Sequence, residues 1–138
     1  MLVQRMSEGS TNELPREVRA FLHSCIESIE QLELLMLLRG SQGGRTARDV
    51  AAVLRVPVPK ARHDLETLAA RGLLEVRVAE ETSYRYGPKS TDLGRYCDLL
   101  AEHYVTARQT VFEFIATESR LSIKRFADAF KLRKPENP

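Results

Sequence analysis

The chain has 138 residues, 43% of them hydrophobic and 29% charged, with a formal net charge of +2, which is typical of one globular domain with a modest core. No run approaches the roughly 18 uncharged apolar residues that a membrane-spanning helix needs. The start, MLVQRMSEGSTNE, lacks the apolar stretch and small-residue cleavage site of a secretion signal, so we expect a cytoplasmic protein.

The first third of the chain predicts a polar start followed by helix. Residues 1–13 are polar and without periodicity, so we expect a disordered N-terminus. Apolar residues then recur mostly at three- and four-residue steps from Pro15 to Arg39, which predicts one long helix or two short ones that meet near Ser24. The glycines of GSQGG, residues 40–44, end this helical region.

A short helix is predicted next. Thr46 and Asp49 have the spacing of a capping box, in which a hydroxyl and a carboxylate satisfy backbone N–H groups at a helix start. We therefore expect a helix that begins at Ala47 and stops before VPVP, because those prolines disfavour the helical conformation at Val56 and Val58.

A third helix follows immediately. Pro59 suits its first turn, where a missing N–H is no loss, and Gly72 suits its C-terminal cap. Its expected buried side consists of Ala61, Leu65, Leu68 and Ala69. Two short helices joined by a tight turn and supported by a longer one make a helix-turn-helix.

The segment LLEVRVAEETSYRYGP, residues 73–88, alternates apolar and charged residues on both sides of a polar turn. Leu74, Val76 and Val78 precede the turn, and Tyr84 and Tyr86 follow it. This pattern predicts a two-stranded ribbon with one apolar face. A ribbon directly after a helix-turn-helix is a wing.

From Cys25 to Pro88, with TARDVAAVL as second helix, VPKARHDLETLAARGLL as third helix and the ribbon, the chain resembles the winged helix-turn-helix superfamily. It is most similar to small bacterial transcription regulators of the antibiotic-resistance and arsenic-sensing repressor kind. The resemblance implies a mainly α fold with a small β-ribbon and flanking N- and C-terminal helices, with residues 14–88 as the winged domain. It also implies a homodimeric DNA-binding regulator that reads the major groove with helix 59–71.

The resemblance assigns DNA contacts by position. Base or phosphate contacts fall on Lys60, Arg62, His63 and Thr67 of the third helix, phosphate contacts on Thr46, Arg48 and Arg55 around the second helix, and wing contacts on Arg77 and Arg85. The chemistry suits phosphate, because arginine pairs bidentately with its oxygens. Residues 45–71 also hold six lysines and arginines against three acids.

Acidic residues favour a different function. Asp64 and Glu66 lie in the third helix, and Glu80 and Glu81 occupy the wing turn, where a phosphate contact should be cationic. The alternative is therefore a winged-helix protein-protein interaction module without DNA binding, since one fold serves several functions.

The remaining chain predicts two further segments. Ser90 or Thr91 is expected to cap a long helix within residues 89–118, and its surplus of apolar residues favours homodimerisation together with the N-terminal helix. A helix that only covers its own core is the alternative. Five acids against two arginines in residues 91–118 make this helix an unsuitable face for DNA.

The tail, residues 119–138, contains RLSIKRFADAFKLRK, which predicts a basic amphipathic helix before an unstructured PENP end. Its apolar positions are Ile123, Phe126, Ala127 and Phe130. Residues 120–134 are suited to dock within the dimer, to bind another protein, to lie on an anionic membrane or to add phosphate contacts, and the pattern leaves these alternatives open.

We expect neither catalysis nor a cofactor. The sequence has no glycine-rich phosphate loop, no GxSxG and no paired His/Glu metal motif. His23, His63 and His103 fall in three separate elements, which argues against a metal site. Cys25 and Cys97 lie far apart without a CxxC partner, so we expect reduced, buried thiols.

Overall fold

The computed structural model describes residues 14–133, so residues 1–13 and the PENP end, with the predictions made for them, lie outside the described residues. In chain order the elements are α1 (Arg16–Cys25), α2 (Ile29–Arg39), β1 (Arg45–Thr46), α3 (Ala47–Leu54), α4 (Val58–Ala70), β2 (Leu74–Arg77), β3 (Ser83–Tyr86), α5 (Thr91–Thr106) and α6 (Arg108–Arg133). None of the helices within residues 14–133 is long and apolar enough to cross a bilayer.

The N-terminal helical region is two helices, the second of the two predicted alternatives. Ser28 has an extended backbone, and its hydroxyl accepts a hydrogen bond from the Gln31 N–H at 3.1 Å, which caps α2. Because a residue that caps a new helix cannot continue the preceding one, α1 ends at Cys25, next to the expected Ser24. The loop between these helices, residues 26–28, is called the α1–α2 corner below.

The capping box predicted at Thr46 and Asp49 is present. The Thr46 hydroxyl accepts from the Asp49 N–H at 3.1 Å, and the Thr46 N–H donates to the Asp49 carboxylate at 3.2 Å. Helix α3 therefore begins at Ala47 as predicted, and it ends at Leu54, before the proline-rich turn.

Helix α4 begins one residue before its predicted start. Pro57 holds the extended N-cap conformation, and Val58 is already helical, so the prediction that Val58 stays outside the helix is wrong. Pro59 disfavours this conformation at Val58, but Val58 packs against the core, and this packing outweighs the local preference. Pro59 lies in the first turn, where no N–H is needed.

The predicted two-stranded ribbon is present as β2 and β3, and β1 adds a third strand to give an antiparallel sheet in the order β1-β3-β2. The additional strand β1 pairs Arg45 with Tyr84 and contains two residues, too few for an alternating pattern to reveal. The expected apolar face is also incomplete, because Val78 lies beyond β2 and is 79% exposed. Burial in the wing is concentrated instead at Leu74 and Tyr84.

One hydrophobic core joins the winged domain to the flanking helices. Helix α2 fills its centre with Leu32, Leu34, Leu35 and Leu38, and α4 adds Ala61, Leu65 and Leu68. Cys97, Leu100, Val111 and Ile115 of α5 and α6 are buried in the same cluster. The first half of α6 is therefore part of this core.

The predicted long helix after Pro88 is two helices with a break at Ala107. The Thr106 hydroxyl donates to the Glu102 carbonyl, a local bond that bends helices. After the break, the Arg108 guanidinium lies 4.4 Å from the centre of the Tyr104 ring. Helix α6 then continues without interruption past residue 118 to Arg133, so the long helix and the tail share one element.

Two glycines with the same backbone conformation give a matched test of packing. Gly72 has φ +83°, and a Cβ there would lie 3.2 Å from Lys89 Cδ and 3.3 Å from Leu93 Cδ1; Gly43 has φ +82° and nothing within 4 Å. We expect Gly72→Ala to lower the free energy of unfolding by more than the roughly 1–2 kcal/mol that a left-handed conformation costs. Gly43→Ala should lose only that amount. Urea unfolding of both variants measures the difference, and equal losses would contradict the packing argument.

Candidate nucleic-acid interface

Helix α4 buries one face and leaves the other to solvent. Leu65 and Leu68 are fully buried, whereas Arg62 and His63 are exposed. In the part of the chain that the structure describes, nothing covers these two side chains. The cationic first half of α4 is therefore accessible in the single chain.

Lys60 has a different environment from its neighbours. Its Nζ lies 3.2 Å from the carboxylate of Asp64, which is 2% exposed and also accepts a hydrogen bond from Gln31 Nε2 at 3.2 Å. The Asp64 carboxylate thus faces α2 instead of solvent. Sequence spacing could have shown this, because Asp64 follows the buried Ala61 by three residues and precedes the buried Leu68 by four.

The three residues predicted as phosphate contacts around α3 differ in exposure and in hydrogen-bond partners. Thr46 is half-buried, and its hydroxyl oxygen is occupied by the capping box. Arg55 is exposed and ends α3 with φ 60°. Arg48 is exposed, and its guanidinium lies 2.6 Å from the Glu81 carboxylate in the wing turn.

Of the two arginines predicted as wing contacts, Arg85 has a carboxylate partner within the wing. Arg85 donates to Glu75, its direct neighbour across the β2–β3 ladder. Arg77 is exposed, and it lines the same shallow surface as Arg85. Thr67, one turn after His63 on α4, is half-buried.

A groove of about 320 Å³ lies between the wing turn, α4 and the start of α3. It brings Arg48 and Arg62 together with Glu80 and Glu81, so the positive and negative charges that line the groove are equal in number. Tyr84 also lines it, and burial together with the nearby carboxylate of Glu66 raises the pKa of the Tyr84 phenol. The predicted cationic surface thus contains the wing carboxylates as well.

Burial governs the ionisation of the two thiols, Cys25 and Cys97, and of the partly buried Tyr86 phenol. Burial raises the pKa of the Cys97 thiol and, with a hydrogen bond to that thiol, raises the pKa of Tyr86 to about 12. Burial also raises the pKa of the half-buried Cys25. A raised pKa leaves less thiolate, so both cysteines are poor nucleophiles at neutral pH. Within residues 14–133, no three His, Cys, Asp or Glu side chains are grouped as metal ligands.

The α1–α2 corner connects α4 to α6. The Arg71 guanidinium, at the end of α4, donates to the Cys25 carbonyl and to the Glu27 carboxylate, each at 2.6 Å. From α6, the Ser119 hydroxyl donates to the Glu27 carbonyl at 3.3 Å. Beyond Ser119, Ile123 and the neighbouring basic residues of α6 are exposed.

Comparison with known proteins gives structural neighbours alone. No protein-family model matches the sequence, and no curated protein is a detectable sequence relative. A mutant of MepR from S. aureus, solved bound to an oligodeoxyribonucleotide, is similar with a TM-score of 0.52 and 16% identity over 96% of each chain. The reduced form of MarR from E. coli is similar with a TM-score of 0.50 and 14% identity, over 96% of this chain and 94% of that one. These likenesses confirm the predicted winged helix-turn-helix fold.

Proposed function

We propose that this chain is a homodimeric DNA-binding transcription regulator of the bacterial cytoplasm, with α4 inserted in the major groove. The observation that carries the proposal is the exposure of Arg62 and His63 on a helix whose opposite face is fixed in the core. A rigid helix that presents cations beside a wing matches the geometry by which winged helices enter the groove. The MepR neighbour of the same fold was solved with an oligodeoxyribonucleotide bound.

The proposed contacts follow the environment of each side chain. Arg62 and His63 are the proposed base contacts, with Thr67 one turn further along the helix. Phosphate contacts are proposed for Thr46, Arg48 and Arg55 near α3, for Lys60 at the start of α4, and for Arg77 and Arg85 in the wing. Phosphate contacts fix the position of the protein on the duplex, and base contacts read the sequence.

Dimerisation through α1, α5 and α6 is the second part of the proposal. Val105, Leu121 and Ile123 expose apolar surface on the flanking helices. Burial of such surface against a twofold mate would stabilise a dimer, and a twofold axis would place two copies of α4 on a palindromic site.

The second candidate function is a protein-interaction module. Three of the predicted DNA-contacting cations, Arg48, Lys60 and Arg85, each have a carboxylate partner in the chain. The wing turn adds Glu80, a further acidic residue at the groove. Such a surface, or the basic segment of residues 120–134, is suited to a polar protein partner.

Fluorescence anisotropy with labelled duplex DNA distinguishes the two functions. A regulator should bind with an affinity that falls steeply between roughly 50 and 200 mM salt, because each phosphate contact contributes about −0.9 to the log-log slope. The stoichiometry should be two chains per duplex. Absence of binding at the lowest salt, together with capture of a protein partner, would favour the interaction module.

A further inference from the structure

The wing turn carries a carboxylate that is bound to a proposed phosphate ligand. Glu81 Oε2 lies 2.6 Å from Arg48 Nη2, and the two side chains are 49% and 68% exposed. Glu81 comes from the turn between β2 and β3, whereas Arg48 lies in the first turn of α3. The ion pair therefore spans the groove between wing and helix-turn-helix.

This contact occupies the place that a phosphate would take. Arg48 is the cation at the start of α3 that can pair with a phosphate, because the capping box of Thr46 and Asp49 already occupies backbone N–H groups of this helix start. A phosphate and the Glu81 carboxylate are both anions that suit the same guanidinium fork. Because both side chains of the pair are exposed to solvent, the ion pair is weak enough for a phosphate to displace it.

The surroundings of the pair strengthen this competition. Arg62 of α4 lines the same groove, so two cations there face Glu80 and Glu81. A DNA backbone that enters the groove must separate Glu81 from Arg48 and then lies close to two unpaired carboxylates. Like charges at this distance repel, and the repulsion is strongest at low salt.

We propose that Glu81 is an intramolecular competitor for DNA phosphate at Arg48, and this inference rests on the proposed function. Its effect is on the affinity for duplex DNA of any sequence. Phosphate contacts are the same for every sequence, so a carboxylate that competes with them weakens binding to arbitrary DNA. The correct site loses the same phosphate contribution, and base contacts from α4 remain the source of sequence preference.

A random-sequence duplex is a sufficient probe, because the competition concerns phosphate alone. We expect Glu81→Gln to tighten binding to this duplex roughly threefold to tenfold in an anisotropy titration. The salt slope should steepen by about 0.9, the value of one additional phosphate contact.

Glu80→Gln is the matched control, because it removes an equal charge from the adjacent position. Glu80 has no ion pair among the described residues, so its variant should show only the smaller effect of a general charge change. When Arg48 is also replaced by glutamine, Glu81→Gln should tighten binding to the duplex no more than Glu80→Gln does. Thermal unfolding of each variant checks that the wing remains folded.

Two outcomes separate the inference from the proposed function. If the protein binds DNA but Glu81→Gln and Glu80→Gln act equally, or if Glu81→Gln acts equally with and without Arg48, the competitor role is overturned and the regulator role stands. If no variant binds the duplex at the lowest salt, the proposed function fails and the inference fails with it.

Discussion

An Arg62→Ala, His63→Ala variant is expected to bind DNA much more weakly than the native chain while it remains folded. Both side chains are exposed on the first half of α4. Loss of an arginine contact to a base costs about 1–3 kcal/mol, which is roughly a fivefold to 150-fold increase in Kd. Exposed substitutions usually change the free energy of unfolding by at most about 0.5 kcal/mol. Anisotropy titration and urea unfolding of the same preparation measure both quantities.

Arg95→Ala is the charge-matched control. Arg95 lies on α5 beside the carboxylates of Glu17 and Asp92, outside the groove and the wing. Its replacement removes one positive charge without removal of a proposed contact, so the affinity should change little at moderate salt. A double variant at Arg62 and His63 with native affinity would remove α4 from the interface and favour the protein-interaction module.

Lys60→Met should instead reduce stability, although Lys60 is also a proposed DNA contact. The substitution leaves the buried Asp64 carboxylate with the Gln31 amide as its remaining partner. Removal of one partner from a buried ion pair costs about 3–5 kcal/mol, and the 41% exposure of Lys60 reduces the expected loss to roughly 1–3 kcal/mol. Urea unfolding measures the loss.

Two comparisons test that explanation. Arg62→Met, an exposed position on the same helix, should change the free energy of unfolding by no more than about 0.5 kcal/mol. A Lys60→Met, Asp64→Leu double variant should recover most of the loss, because replacement of both charges leaves no unpaired carboxylate. Equal effects of Lys60→Met and Arg62→Met would show that Asp64 does not depend on Lys60. A Lys60 variant therefore reports on DNA binding only after its stability is known.

The features that the sequence predicted well depend on residues close together in the chain. The capping box of Thr46 and Asp49, the glycine after α4 and the alternation in the wing are signals within a few residues of one another. Each has a local physical cause, such as an unsatisfied N–H or a left-handed backbone conformation. The helix-turn-helix and its wing could therefore be recognised before the structure.

The features that the sequence did not predict depend on distant partners. Strand β1 exists because Arg45 and Thr46 meet β3, and nothing in two residues indicates that pairing. The ion pair between Arg48 and Glu81 likewise joins residues brought together by the fold. The break at Ala107 contains neither proline nor glycine, so no helix-breaking residue marked it.

The α1–α2 corner is a contact point shared by helices α4 and α6. Helix α6 has 26 residues, a continuous rod about 39 Å long at the usual rise per residue. Part of the rod is embedded in the core through Val111 and Ile115, and Ser119 joins it to Glu27, the residue that also holds the end of α4 through Arg71. Glu27 therefore contacts both helices, its side chain at the end of α4 and its carbonyl at Ser119 of α6, so a displacement of α6 at Ser119 would disturb the residue that fixes the end of α4.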